Sequence, residues 1–157
     1  MKTLRRFIDL PRSRQALVLE ATCWLVLAWL LVRIFPFRSW SHWLGDQVPG
    51  MGEVASADAK SDALARDISR TITAINQRVG RRFTCLMLAM SLQWMLSRRH
   101  ISSSLVLGAQ TEQDVKQRLS LKAHAWVSIG SGVVLGEIGE QYAPLSSFVR
   151  RYRSPKG

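Results

Sequence analysis

The hydrophobic residues of this chain follow helical periods in its first half and form short, strand-like runs in its second half. The first long apolar stretch predicts a helix from about Arg14 to Phe35. Pro11 precedes this helix and Ser13 is a plausible cap. Pro36 ends it, because proline lacks the amide hydrogen that a helix interior needs.

Two further helices are predicted downstream. The range 61–78 is periodic, because its apolar positions recur at intervals of three and four and Gly80 closes the pattern. Those positions are Leu64, Ile68, Ile72, Ile75 and Val79. Thr84 then caps a helix from Cys85 to about Arg98 that is apolar nearly all round, which predicts burial on every side.

The last third of the chain predicts a small antiparallel sheet. Its strands cover 102–109, 123–129 and 133–138. The range 110–120 is polar and predicts a loop, 130–132 is a glycine-rich hairpin turn, and a basic tail with little to order it follows Leu145. Helices followed by a helix that feeds a small sheet predict an α+β fold.

Composition divides the chain into three parts. Residues 1–45 form a basic and apolar helical region, and residues 46–60 are acidic, bear glycine and proline, and predict a linker. Residues 61–157 form the core. The N-terminal helices are expected to pack on that core as part of one compact domain.

The balance of charge is strongly basic. The chain has 22 lysine and arginine residues against 11 aspartate and glutamate residues, a formal net charge of +11. This favours acidic partners such as nucleic acid, anionic lipid or an acidic protein. There is no RNP-like aromatic set, no zinc-ligand spacing and no recognition-helix signature, so a nucleic-acid function is not expected. No metal or cofactor is expected either.

The N-terminal apolar stretch raises the question of a membrane. It holds 12 residues without charge, Ala21 to Val32, bracketed by Glu20 and Arg33, whereas a bilayer span needs about 20 apolar residues. A buried helix, or one that contacts an anionic membrane surface, is therefore favoured over a transmembrane one. Cys23 is predicted to be buried. The basic N-terminus does not resemble a cleavable signal. A cytoplasmic protein is expected, with peripheral membrane association as an addition.

One cysteine and one histidine stand out chemically. A thiol at a helix N-terminus ionises more easily because unpaired amides and the helix dipole favour negative charge, and Arg81 and Arg82 act in the same direction. The same amides can stabilise an oxyanion. His124, on a neighbouring predicted strand, would serve Cys85 as base and the leaving amine as acid. The alternative is that Cys85 is an ordinary core residue.

Several segments together resemble one family. They are the run from Arg82 to Arg99 around Cys85, Leu105-Val-Leu-Gly, Ala123-His-Ala-Trp-Val, Val133-Val and Tyr142-Ala-Pro-Leu. Over about residues 82–145 they resemble the leader peptidases of lasso-peptide biosynthesis. These are transglutaminase-like cysteine proteases of the type that matures microcin J class peptides. The resemblance implies a transglutaminase- or papain-like core in which one buried helix packs on a small antiparallel sheet.

The resemblance also implies an activity and its partners. The enzyme would remove the leader from a ribosomally made precursor peptide, with Cys85 as nucleophile and His124 as general acid and base. A separate PqqD-like protein would bind the leader and present it. An ATP-dependent, asparagine-synthetase-like cyclase would then close the macrolactam of the released core.

The third member of the site departs from the family pattern, which has an acid, usually aspartate, near the strand after the histidine. No aspartate follows Asp114 in this chain. Glu137 is the candidate that orients His124, Glu140 is the second candidate, and a dyad without an acid is also open.

Two other functions stay open from the sequence. One is a transglutaminase-like acyltransferase or amidase that uses the same cysteine and histidine. The other is a non-catalytic module that binds peptide or membrane, for which Cys85 would be dispensable and the N-terminal apolar helix would carry the function.

Overall fold

The computed structural model describes residues 10–113, 119–136 and 142–152. The helices are α1 (Arg12–Ile34), the short α2 (Phe37–Trp40), α3 (Ala59–Arg78) and α4 (Cys85–Ser97), with a 3-10 turn at Ser41–Leu44. The strands are β1 (Asp46–Pro49), β2 (Ser103–Gln113), β3 (Leu119–Ile129), β4 (Gly132–Leu135) and β5 (Ala143–Arg150). This confirms the predicted α+β fold class.

The five strands form one antiparallel sheet in the order β1-β5-β2-β3-β4. The pair β2 and β3 is its longest ladder, from Ser104 opposite Ser128 to Gln113 opposite Leu119. Gly130, at a positive φ of 56°, makes the tight turn between β3 and β4. The hairpin predicted at this position is thus confirmed.

The core lies between one face of the sheet and the helices α1, α3 and α4. Helix α4 is buried at nearly every position from Met87 to Leu96, as its all-round apolar sequence predicts. Thr84 caps it by accepting a hydrogen bond from the Met87 amide. Helix α1 begins directly after Pro11 without a side-chain cap, so the prediction that Ser13 caps it was wrong.

The opposite face of the sheet is covered by the segment that follows β1. Gly52 and Val54 are buried there, and the Ser147 hydroxyl accepts a hydrogen bond from the Gly52 amide and donates one to the Gly50 carbonyl. The range 46–60, predicted as a linker, therefore contains a strand and a segment that packs on one face of the sheet. The three-part division of the chain itself stays a prediction.

The C-terminal region differs most from its prediction. Strand β5 replaces the expected loose tail and lies in the sheet between β1 and β2. Phe148 and Val149 are both about 1% exposed, on opposite faces, so this strand is held from two sides. Strands β2 and β3 are also longer than expected and extend into 110–113 and 119–120, which were predicted as a loop.

Gln93 is the main polar group inside the core. Its amide nitrogen donates to the carbonyls of Leu44 and Phe148, at 3.2 and 2.9 Å, and its Oε1 accepts from the Ser103 hydroxyl at 2.7 Å. One side chain of α4 thus joins the 3-10 turn, β5 and β2. Each of its partners would be left unsatisfied in a dry environment if it were removed.

We expect Gln93→Leu to lower the free energy of unfolding by about 2–4 kcal/mol, because it removes the hydrogen-bond partner of three buried polar groups. Urea denaturation would measure this. The matched control is Gln77→Leu on the exposed side of α3, which should change stability by less than about 0.5 kcal/mol. Equal effects of the two variants would show that the Gln93 network does not contribute to stability.

Helix α1 is joined to the turn that follows α4 by an ion pair between Glu20 and Arg99, with oxygen and nitrogen 2.6 Å apart. The hydrogen bond from Arg99 lowers the pKa of Glu20 below its ordinary value of 4.5. A lowered carboxylate pKa stabilises the fold above the unfolded-state value, and this contribution is lost as pH falls through the lowered value.

We therefore expect Glu20→Gln to destabilise the protein by about 1–2 kcal/mol at pH 7 and by progressively less below pH 4.5. Thermal unfolding over a pH series would measure the difference. Asp62→Asn, which breaks the exposed pair with Arg66, should have a much smaller effect at every pH. A Glu20→Gln effect that stays constant with pH would contradict the assignment.

Candidate active site

Cys85 is the first residue of α4, and its side chain is free and half-buried. Thr84 satisfies the Met87 amide, and the Thr84 carbonyl accepts from Leu88. Within the described residues the amides of Cys85 and Leu86 make no hydrogen bond. The thiol therefore lies beside two available donors at the positive end of a helix dipole.

The approach to Cys85 is fixed by Asn76, a buried residue near the end of α3. Its amide accepts from the Phe83 backbone N–H at 3.0 Å and donates to the Phe83 carbonyl at 3.2 Å. Gly80 and Arg81, both at positive φ, turn the chain between α3 and α4. Asn76 thus holds the backbone two residues before the thiol.

Sequence reasoning missed this role, although the sequence carries a signal for it. Position 76 continues the i, i+4 series of the buried residues Ile68 and Ile72. A polar residue on the apolar face of a helix indicates a buried side chain that makes hydrogen bonds.

His124 lies on β3, with its ring between two aromatic neighbours. Its ring centroid is 6.2 Å from that of Trp126 and 5.0 Å from that of Tyr142, with interplanar angles of 25° and 38°. The Nε2 atom is buried and has no hydrogen-bond partner among the described residues. The burial of such a nitrogen without a partner is energetically costly.

The alternation along β3 sets the direction of this histidine. Ala125 and Val127 belong to the core that faces the helices, and His124 and Trp126 alternate with them. Directly opposite His124 on β2 is Gly108. A Cβ atom built at Gly108 would lie 2.5 Å from the Trp126 ring and 2.9 Å from the Ala143 carbonyl, so only glycine fits there.

Cys85 and His124 line one cavity of about 430 Å³ between α3, α4 and the β3–β4 edge of the sheet. The other residues that line it are Ser69, Thr73, Leu88, Ala125, Val134, Leu135 and Gly136. The Ser69 hydroxyl donates to the Val134 carbonyl at 2.8 Å and so joins α3 to β4 at the cavity wall. Cys85 and the strand that carries His124 therefore border the same space, but the alternation along β3 places the His124 ring, with Trp126, on the face of the sheet turned away from α4.

The two groups are not hydrogen-bonded to each other in the described part of the chain. The alternation along β3 accounts for this, because the His124 ring lies on the opposite face of the sheet from α4. Glu137 and Glu140, the predicted orienting acids, lie outside the described residues. Across 10–113, 119–136 and 142–152 there is no cluster of three or more histidine, cysteine or acidic side chains suited to a metal ion.

Cys23, the second cysteine, is exposed on α1. The prediction that it is buried was wrong, because α1 uses only one of its faces for core packing and Cys23 lies on another.

A buried helix headed by a cysteine, packed on an antiparallel sheet that carries a histidine, defines an α+β fold of the kind that supports thiol-dependent acyl transfer. A family model described as the transglutaminase-like superfamily matches residues 29–147. The chain belongs to this superfamily, whose members are typically catalytic, as cysteine proteases or transglutaminases. No curated protein and no solved structure matches the chain.

We expect Gly108→Ala to displace the Trp126 ring and with it the His124 stack, at a cost of about 1–3 kcal/mol in stability. Chemical denaturation would measure the cost, and NMR would detect a shift of the His124 ring protons. Gly132→Ala is the matched control, because its Cβ would meet nothing closer than 3.6 Å. An unchanged His124 spectrum in Gly108→Ala would contradict the proposed packing.

Proposed function

We propose that this protein is a cysteine peptidase that removes the leader from a ribosomally synthesised lasso-peptide precursor, so that a cyclase can close the macrolactam. The observation that carries the proposal is the shared cavity of Cys85 and His124, in a chain of the transglutaminase-like superfamily. The finer assignment to lasso-peptide precursors is supported by the sequence resemblance around these two residues.

The proposed reaction is an acyl-transfer sequence in which Cys85 and His124 form the pair, as the family resemblance implies. The thiol gives its proton to the imidazole, and Sγ attacks the carbonyl carbon of the scissile peptide bond. The amides of Cys85 and Leu86 are placed to stabilise the oxyanion. The imidazolium then protonates the leaving amine, and the acyl group stays on sulfur as a thioester. Water, deprotonated by His124, releases the leader carboxylate and restores the thiol.

The surroundings of the cavity favour a peptide whose leader is acidic. Arg81 and Arg82 are exposed in the turn directly before Cys85. Guanidinium groups there would attract carboxylates without entering the cavity. The volume of about 430 Å³ suits one or two side chains of a peptide rather than a folded domain.

Such a limited binding site makes presentation of the substrate important. We therefore propose a separate PqqD-like protein as the partner that binds the leader, and an asparagine-synthetase-like, ATP-dependent cyclase as the consumer of the released core. The isolated chain is expected to cleave slowly, because a small groove supplies little binding energy of its own. A cytoplasmic location with membrane association fits this role.

The superfamily match equally supports a second reaction class. An amine, rather than water, can attack the same thioester, which would make the protein a transglutaminase-like acyltransferase; hydrolysis of a side-chain amide would make it an amidase. The products differ in mass, so one assay separates these activities from the peptidase.

The test is precursor cleavage followed by mass spectrometry, with the leader-binding partner present. We expect the wild-type chain to cut the precursor once and Cys85→Ala to lose at least about 10³-fold in rate, because no other group replaces the nucleophile. Cys23→Ala is the matched control, since it removes the other free cysteine, and it should retain full activity. Glu137→Gln decides between a triad and a dyad.

Three results would contradict the proposal. Cleavage by Cys85→Ala at the wild-type rate would exclude Cys85 as the nucleophile. A product joined to an added amine would identify the acyltransferase. Absence of cleavage by a folded wild-type protein that still holds the leader would favour a non-catalytic peptide-binding module.

A further inference from the structure

Helix α1 has a second apolar face that packs on nothing in the described structure. Its inner face, which includes Leu17, Leu25 and Leu31, is buried in the core. On the outer side six large hydrophobic residues are exposed: Leu19, Val26, Leu27, Trp29, Leu30 and Ile34. We call these six residues the outer face of α1. Their exposed fractions range from 36% at Leu27 to 63% at Ile34, so Leu19 and Ile34 are well clear of the core and Leu27 lies at its edge.

The apolar surface continues beyond the end of the helix. Phe35, Phe37 and Trp43 are each between 38% and 52% exposed. Together these exposed residues indicate an interaction surface, because exposed apolar area of this extent is unusual where nothing covers it. Aromatic residues at its end are typical of the boundary between lipid and water.

Positive charge lies toward both ends of the outer face, and its central part carries no charge. The stretch between Glu20 and Arg33 has no charged residue. Arg12 at one end, and Arg33 and Arg38 at the other, are exposed. Glu20, the nearest acid, is turned toward α4, where it pairs with Arg98 and Arg99.

The length and composition of α1 would allow it to cross a membrane, and only 22% of its most apolar stretch is buried, but the contacts of its inner face argue against a spanning orientation. The inner face is buried from Leu17 to Leu31 against α3 and α4, which is most of the helix length. A spanning α1 would carry the charged helix α3 into the hydrocarbon. The ion pair of Arg14 with Asp67 also joins α1 to α3 at its N-terminal end.

We propose that the outer face of α1 is a docking surface for an anionic phospholipid bilayer, on which the helix lies parallel to the membrane plane. The apolar side chains enter the boundary between headgroups and acyl chains, about 5–10 Å deep. Arg12, Arg33 and Arg38 meet lipid phosphates at the two ends. The net charge of +11 attracts the whole domain to the same surface.

An acidic bilayer fits the pattern better than a protein partner does. An apolar strip whose central part carries no charge, with cations toward its ends, matches a surface that is apolar inside and anionic at its border. The exposed tryptophan and phenylalanine residues also lie on the helix side or end, at headgroup depth in this orientation. The cavity that contains Cys85 is lined by α3, α4, β3 and β4 and by no residue of α1, so docking would leave it open.

Vesicle flotation of the full chain tests the proposal. We expect the protein to float with vesicles of equal phosphatidylglycerol and phosphatidylcholine, and to bind vesicles of phosphatidylcholine alone at least about tenfold more weakly. Raising NaCl from about 0.05 M to about 0.5 M should weaken binding to the anionic vesicles. Absence of binding to the anionic vesicles, or equal binding to both kinds, would overturn the proposal.

Variants locate the surface. The double variant Leu19→Glu with Leu30→Glu should lower the affinity for anionic vesicles at least about tenfold, because it places two carboxylates in the outer face of α1, which would enter the bilayer. The matched control is Leu121→Glu with Leu145→Glu, two exposed leucines of the sheet, which should bind within about twofold of wild type. Circular dichroism and thermal unfolding would confirm that both proteins fold.

The remaining outcomes also decide the matter. Wild-type binding in the α1 double variant would show that the surface lies elsewhere. If the wild-type protein does not bind vesicles but is a dimer in solution, and the α1 double variant is a monomer, the outer face would be assigned to a second copy of the chain. If the α1 variant does not fold, Arg33→Gln with Arg38→Gln tests the charge: anionic binding should fall severalfold, and unchanged binding would overturn the proposal.

Discussion

The structure depends on the burial of α4. This helix is apolar around its whole circumference, so it needs cover on every side, and no single neighbour can supply it. The sheet covers one side, while α1 and α3 cover the others. Each fully buried leucine or methionine contributes about 1.5–3 kcal/mol, and Met90, Leu92, Met95 and Leu96 are all fully buried. Gln93 is tolerated among them only because its amide is satisfied by three partners.

The same constraint creates the candidate site. A helix that is surrounded along its length can present reactive groups only at its ends. The N-terminal end carries Cys85 together with two amides that have no partner in the part of the chain that the structure describes. The tight turn at Gly80 and Arg81 and the Asn76 bonds to Phe83 hold that end still. Strand β3 contributes His124 to the lining of the same cavity, and on the other face of the sheet Gly108 leaves room for the Trp126 ring that stacks on His124.

The sequence predicted the parts of the fold that local physics controls. Thr84 as a cap, α4 as a buried helix and Gly80 as a stop are each decided by a few neighbouring residues. Strands β1 and β5 were missed, because pairing across about 100 residues leaves no local mark. Ser146 and Ser147 in β5 weaken the apolar pattern, yet Ser147 is buried because its hydroxyl bonds the backbone of the segment after β1. The shared cavity of Cys85 and His124 likewise depends on the register of the whole sheet, which no motif in the sequence encodes.

Helix α1 shows why one sequence pattern can serve two surfaces. A helix that covers a core needs one apolar face, and its solvent side is ordinarily polar. Here Ala21, Leu25 and Ala28 supply the inner face, and the small alanines allow close approach to α4. The hydrophobic residues on the other side contribute nothing to that packing and cost solubility, so the core alone does not explain them. The outer face therefore reflects a constraint from outside the domain. Because its inner face is joined to α3 and α4 by the ion pairs of Arg14 and Glu20, whatever binds the outer face also sets the orientation of the helix that carries Cys85.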